Sequence, residues 1–188
     1  QTGAKVGQIF APTTNQAIYQ AILDGNAPFF IELIDSLVGA LEADQTEFVV
    51  GDAMEGYNSA HDACRLVIDA AIRILRNRGQ MVENFDFLLA GVPDDCPPEL
   101  QAKAIFLRLD DFSLEQKLQV ALAHEGGRGE VLRQLDELGQ EAFRVECLRP
   151  VRHDCEPDYW SEYFISNPPF YEQYGRRQVV AGHYRQVL

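Results

Sequence analysis

The sequence predicts an α/β layer fold with a mostly parallel sheet. Short apolar runs with the length of strands alternate along the chain with longer segments of helical periodicity, which is typical of a sheet covered by helices. The chain has 188 residues, of which 46% are hydrophobic, so it is long enough to bury a core. One α/β domain is expected over residues 1–153, with an aromatic and proline-rich tail over residues 154–188 that packs on it.

The first part of the chain predicts one strand and two helices. The strand is expected at Lys5–Phe10, and a weakly patterned helix at Gln16–Leu23. A second helix is expected at Pro28–Leu41, because proline suits the first turn of a helix and the apolar residues that follow form a wide face.

The central stretch predicts a buried strand, a polar loop and an amphipathic helix. The strand is Phe48–Val50, bounded by Gly51, and the helix continues to Arg78. Ser59 is expected to be the N-cap, with Asp62 three residues later completing a capping box.

The rest of the chain predicts three further strands and two helices. The strands are expected at Asn84–Ala90, Ala104–Leu109 and Phe143–Val151. The first helix is expected to open with a capping box of Ser113 and Gln116 and to run through His124. The second helix is expected to end at Gly139. The glycines between the two helices lack the spacing of a phosphate-binding loop, which favours a plain turn.

The charge of the chain disfavours several classes of partner. Lys and Arg number 16 against 29 Asp and Glu, so the formal net charge is −13. Such a chain repels nucleic acids and anionic membrane surfaces. No window approaches the roughly 18 consecutive apolar residues of a membrane span, and no signal peptide is visible.

The four cysteines show neither a C-x-x-C pair nor the spacing of a zinc finger. Cys64 and Cys147 lie within predicted elements, which favours buried free thiols in a reducing compartment and hence a cytoplasmic protein. The sequence begins with Gln1 rather than methionine, so we expect it to be a piece of something longer.

His61 is the first candidate for chemistry, because it lies where the central loop becomes a helix. The partial positive charge of a helix N-terminus disfavours an imidazolium, so the ring is expected to stay neutral with a lone pair free for a metal. The alternative is a polar surface or capping residue. A catalytic zinc usually takes three protein ligands, so other residues would have to complete the site.

Several segments in order resemble the LmbE/PIG-L family of zinc-dependent deacetylases. VVGDAMEGYNSAHDACRLVIDAAI is similar to the second metal motif of that family, and LEQKLQVALAH is similar to a later family helix. EAFRVECLRPV looks like the closing strand of bacterial members, and PFYEQYGRRQVVAGHY is similar to tails in a bacterial subgroup. Together the likeness covers roughly residues 46–184.

This resemblance implies a Rossmann-like three-layer fold. It also implies a Zn²⁺ (or other divalent metal) enzyme that hydrolyses an N-acetyl group from a glucosamine-type sugar or glycoside. His61 matches a metal ligand, and Asn58 stands where many members have a histidine that stabilises the oxyanion or protonates the leaving amine. Tyr57, Asn58 and His124 are the catalytic candidates, and Glu55 is the candidate for substrate binding.

The first motif of the family, H-[PT]-D-D, has no counterpart between Gln1 and Asp44. The Val92–Asp95 run, VPDD, lacks the histidine and comes too late in the chain. We therefore expect upstream residues to supply two metal ligands and the general base. Two alternatives stay open: a metal-free binding module on the same scaffold, and a hydratase acting on a small carboxylic acid. The substrate is expected to be a small molecule, and self-association into a homo-oligomer is left open.

Overall fold

A computed structural model describes residues 5–9, 12–89, 92–124 and 127–151 of the chain. The elements are α1 (Asn15–Leu23), α2 (Ala27–Ala43), β1 (Phe48–Asp52), α3 (Ser59–Asn77), β2 (Glu83–Phe87), β3 (Ile105–Arg108), α4 (Asp111–Ala123), α5 (Arg128–Leu138), a 3₁₀ turn (Gln140–Arg144) and β4 (Val145–Pro150). The predicted tail at 154–188 lies outside the described residues.

The four strands form a mixed sheet with the order β1-β2-β4-β3 and one parallel pair. The N–H of Glu83 donates to the carbonyl of Glu47 at 2.8 Å, so β1 and β2 start side by side and run in the same direction. β3 and β4 are antiparallel, with Ile105 opposite Leu148. The expectation of a mostly parallel sheet is therefore wrong, although the α/β class is confirmed.

Two corrections concern strands. Residues 5–9 contain no strand, and Val6 is 73% exposed, so an extended segment there would bury little apolar surface. β1 is present but is not a buried strand, because it lies at the edge of the sheet with Phe48 and Val50 exposed. β2 is an inner strand as predicted.

The described residues divide into two compact units. One comprises the described residues up to Phe85 together with Val151, and the other comprises Asp86–Pro150. In the first unit, α2 packs on α3 around five buried residues, which are Val38, Ala71, Ile72, Leu75 and Val82. A second cluster joins α1 to the start of α3 through Ile18, Ile22, Ala60 and Ala63. These two clusters fix the axis of α3, and hence the position of its first turn.

The second unit has a smaller core of Leu114, Leu118 and Phe143. Its helix α4 begins earlier than predicted, because Asp110 is the N-cap and its carboxylate accepts the N–H of Ser113 at 2.8 Å. The capping box of Ser113 and Gln116 is therefore wrong. None of the helices in the described ranges is long and apolar enough to cross a membrane.

The candidate site at the end of strand β1

The candidate site lies where β1 ends and α3 begins. Asp52 is the last residue of β1, and His61 is the third residue of α3. The Nδ1 atom of His61 lies 2.5 Å from Oδ2 of Asp52. The side chains of His61 and Asp52 are 42% and 26% exposed, so the pair is open to a ligand. Sequence reasoning identified His61 but missed its partner.

The hydrogen bond that His61 donates to Asp52 raises the pKa of His61 above its ordinary value of 6.5. Burial of the ring acts in the opposite direction, and the negative charges of Asp62 and Glu55 add to the rise. The helix N-terminus was expected to disfavour the charged ring, whereas the net shift of the pKa favours it. A helix end carries only about half a positive charge, and a carboxylate in direct contact outweighs it.

The same contact orients the imidazole. Because the Nδ1–H group donates a hydrogen bond to Asp52, Nε2 is the ring nitrogen that can face a ligand. A histidine that binds a metal commonly donates its other N–H to a carboxylate, which fixes the tautomer and makes the ligating nitrogen more basic. The same arrangement suits a histidine that moves protons.

Asn58 is the N-cap of α3, which corrects the prediction that Ser59 caps this helix. The side-chain oxygen of Asn58 accepts the N–H of Ala60 at 2.9 Å and the hydroxyl proton of Tyr19 at 3.0 Å. These bonds occupy Oδ1, so a catalytic role for Asn58 would have to use the Nδ2 amide group as a donor.

Because the N-cap is Asn58, the predicted capping box of Ser59 and Asp62 is wrong as well, and the carboxylate of Asp62 contacts the preceding loop. Asp62 is 1% exposed, and its carboxylate accepts the backbone N–H groups of Glu55 at 3.2 Å and Gly56 at 3.0 Å. Gly56 has a φ of +67°, a conformation that glycine adopts without steric cost. Asp62 thereby holds the loop that carries Tyr57, whose side chain is at the surface.

The buried side chain of Arg65 joins α3, the helix that carries His61, to strand β2. Arg65, 1% exposed, donates to Asn84 Oδ1 at 2.8 Å and to the carbonyl of Phe85 at 3.2 Å, and it pairs with Asp69 at 2.8 Å. These bonds tie α3 to β2.

The position of Arg65 depends on Gly51 in β1. A Cβ atom at residue 51 would lie 2.7 Å from Cδ1 of Ile68 and 3.2 Å from Nη1 of Arg65. Gly51 therefore lets α3 lie close against the strand that ends in Asp52. Gly51 was expected to bound the strand, but it lies within β1.

Glu55, Tyr57, Asn58 and His61 are brought together in the first unit by one loop and one helix end. His124 belongs to the second unit, where it is the C-cap of α4 and its N–H donates to the carbonyl of Ala121 at 3.3 Å. The catalytic role of His124 stays a prediction.

Within the described ranges, no group of three or more His, Cys, Asp or Glu side chains is placed to hold a metal ion. These residues offer one imidazole with an orienting carboxylate, which fits one ligand position of a zinc site rather than a full site. Comparison of the chain with protein-family models, curated proteins and solved structures finds no match.

Proposed function

We propose that the Asp52–His61 pair is one part of the metal site of a hydrolase. The enzyme would remove an N-acetyl or related acyl group from a glucosamine-type sugar or glycoside, on a Rossmann-like α/β scaffold. The observation that carries the proposal is the 2.5 Å contact between Asp52 and Nδ1 of His61, at the carboxyl end of a strand and inside the motif similar to the deacetylase family. Ligands of α/β sheets bind at such strand ends.

The chemistry of the donor fits a zinc ion. A neutral imidazole is a common zinc ligand, and Asp52 is placed to accept the proton of the ring nitrogen that does not bind the metal. The remaining ligands and the general base would come from residues outside the described ranges. A bound zinc polarises a carbonyl and lowers the pKa of its water to about 7.

The residues around the pair have distinct tasks in this proposal. Asp52 holds the tautomer of His61 and the orientation of its ring. The Nδ2 group of Asn58 or the hydroxyl of Tyr57 donates to the oxyanion that develops on the acyl carbonyl, and a single donor of this kind contributes about 3 to 4 kcal/mol in enzymes where it has been removed. Glu55, on the same loop, would bind sugar hydroxyls.

Zinc content and deacetylation of the full-length natural protein test this proposal together. We expect about one zinc per chain, loss of amine release from N-acetylglucosamine derivatives on EDTA treatment, and recovery with zinc. His61→Ala should abolish both zinc binding and activity, and Asp52→Asn should weaken zinc binding by about 10-fold to 100-fold. Asp35→Asn, at an exposed position of α2, is the matched control and should change neither.

Hydrolysis that is indifferent to EDTA and zinc would overturn the metal mechanism. A protein that binds the sugar but contains no zinc and releases no amine would instead identify a metal-free binding module.

A further inference from the structure

An apolar groove lies among α1, α2 and α3 in the first unit. Its volume is about 350 Å³, and its wall includes Ile18, Leu33, Leu37, Cys64, Val67 and Ile68. Among the residues described, no charged side chain lines it. Thr13 and Ser36 are the polar residues of the lining, and the hydroxyl of Ser36 donates to the carbonyl of Glu32 at 2.8 Å, within its own helix.

The groove and the candidate site share helix α3, because Cys64 and Val67 of this helix line the groove and His61 lies in its first turn. Cys64 lies three residues after His61 in α3, so the two side chains share one side of the helix with a rise of about 4.5 Å between them. The negative charge of Asp52 adds to the rise in the pKa of Cys64. Partial burial is the larger cause of this rise, although Cys64 is classed as an exposed residue.

We propose that this groove binds an uncharged aliphatic chain attached to the group presented at His61. This inference rests on the proposed function and names its substrate class: an amide-bearing sugar that carries a medium-length alkyl or acyl chain. The volume falls within the range of small-molecule sites, and an uncharged lining gives no partner for an ionic group. The net charge of −13 also disfavours a fatty acid anion.

The length dependence of binding tests the proposal directly. Calorimetry with the full chain compares N-acetylglucosamine with N-octanoylglucosamine, which extends the acyl side, and with the octyl glycoside of N-acetylglucosamine, which extends the glycoside side. Burial of each methylene favours binding by about fourfold, so at least one octyl probe should bind more than about tenfold tighter than N-acetylglucosamine. The stronger of the two octyl probes identifies which side of the amide lies in the groove.

Val67→Trp fills the groove and should abolish the gain from the octyl chain. Val120→Trp is the matched control, because Val120 is 52% exposed on α4 and does not line the groove. It should leave the gain unchanged. Circular dichroism and thermal unfolding verify that both variants fold.

Alkylation of Cys64 gives a second readout in the unmodified protein. The favoured octyl probe should slow the reaction of Cys64 with iodoacetamide severalfold, as measured by mass spectrometry of the Cys64 peptide. Equal binding of all three sugars, or alkylation of Cys64 at an unchanged rate with the probe bound, would overturn the proposal. If the chain-length dependence of binding and the protection of Cys64 are found in a protein that binds no zinc and hydrolyses nothing, the proposed groove occupant is supported and the proposed hydrolase function is refuted.

Discussion

The carboxylate of Asp62 accepts the N–H of Gly56 at 3.0 Å, six residues earlier in the chain. Asp62 is fully buried, and the same carboxylate accepts the N–H of Glu55. One side chain of α3 therefore holds the backbone of the loop in front of the helix. The order of the loop that carries Tyr57 and Glu55 depends on this contact.

Asp62→Asn should destabilise the protein and loosen the loop. An amide offers one acceptor oxygen in place of two, so one buried N–H loses its partner at a cost of about 1 to 3 kcal/mol in the free energy of unfolding. Urea denaturation measures the loss, and hydrogen exchange should become faster at the Gly56 amide. Asp35→Asn should show neither effect, and an Asp62→Asn variant with an unchanged exchange rate at Gly56 would contradict the assigned contact.

Asp52→Asn should lower the pKa of His61 in the metal-free protein. NMR titration of the imidazole measures the pKa in both forms, and a value in the natural protein at or below 6.5 would show that the contact is not made.

The raised pKa of His61 also makes stability depend on pH. A histidine whose pKa is higher in the folded state contributes stability that is fully present below the unfolded pKa and is lost as the pH rises through the folded pKa. The stability difference between the natural protein and Asp52→Asn should therefore be larger at about pH 5.5 than at about pH 9. Equal differences at both pH values would contradict this linkage.

Gly51→Ala should destabilise the protein by about 1 to 3 kcal/mol, because the added methyl group overlaps Ile68 and forces a shift at the interface of α3 and β1. Gly39→Ala is the matched control. Gly39 lies inside α2 with no other atom near its added methyl group, so alanine should stabilise the helix by about 0.5 to 1 kcal/mol. Opposite signs in chemical denaturation confirm the prediction, and a neutral Gly51→Ala variant would show that the close approach is absent.

The described cysteines should differ in reactivity. Cys64 is exposed, which corrects the expectation that it is buried, whereas Cys96 and Cys147 are buried free thiols. Burial and a hydrogen bond with Cys96 raise the pKa of Cys147 to about 12.

The raised pKa of Cys147 disfavours its thiolate at pH 8, and the thiolate is the reactive form. Alkylation resolved by peptide mass spectrometry should therefore modify Cys64 well before Cys147. Modification of Cys147 first, under conditions where the protein is folded, would contradict this order.

The helices were the most predictable part of the fold. α2 and α3 follow from apolar residues at helical spacing, because one buried stripe dictates that pattern. Their first residues were less predictable. Asn58 and Ser59 are adjacent and equally suited to capping, and the hydroxyl of Tyr19, distant in sequence, bonds to Asn58. Local sequence does not contain that contact.

Strand directions and the partner of His61 could not be predicted for a related reason. Alternation of helices and strands suggested parallel pairing, but whether a connection returns the chain parallel or antiparallel depends on packing far away in sequence. Asp52 lies nine residues before His61, and only the loop held by Asp62 brings the two together. An acidic residue at the end of a strand, just before a loop with a histidine, was the available signal.

Gly51 has a consequence for how this protein tolerates substitution. Its missing side chain leaves the room in which the guanidinium of Arg65 lies, so the two positions behave as one unit under mutation. A larger residue at 51 would become acceptable only together with a smaller one at 65 or 68. In a library that randomises all three positions, functional clones should be found as correlated combinations rather than as independent choices.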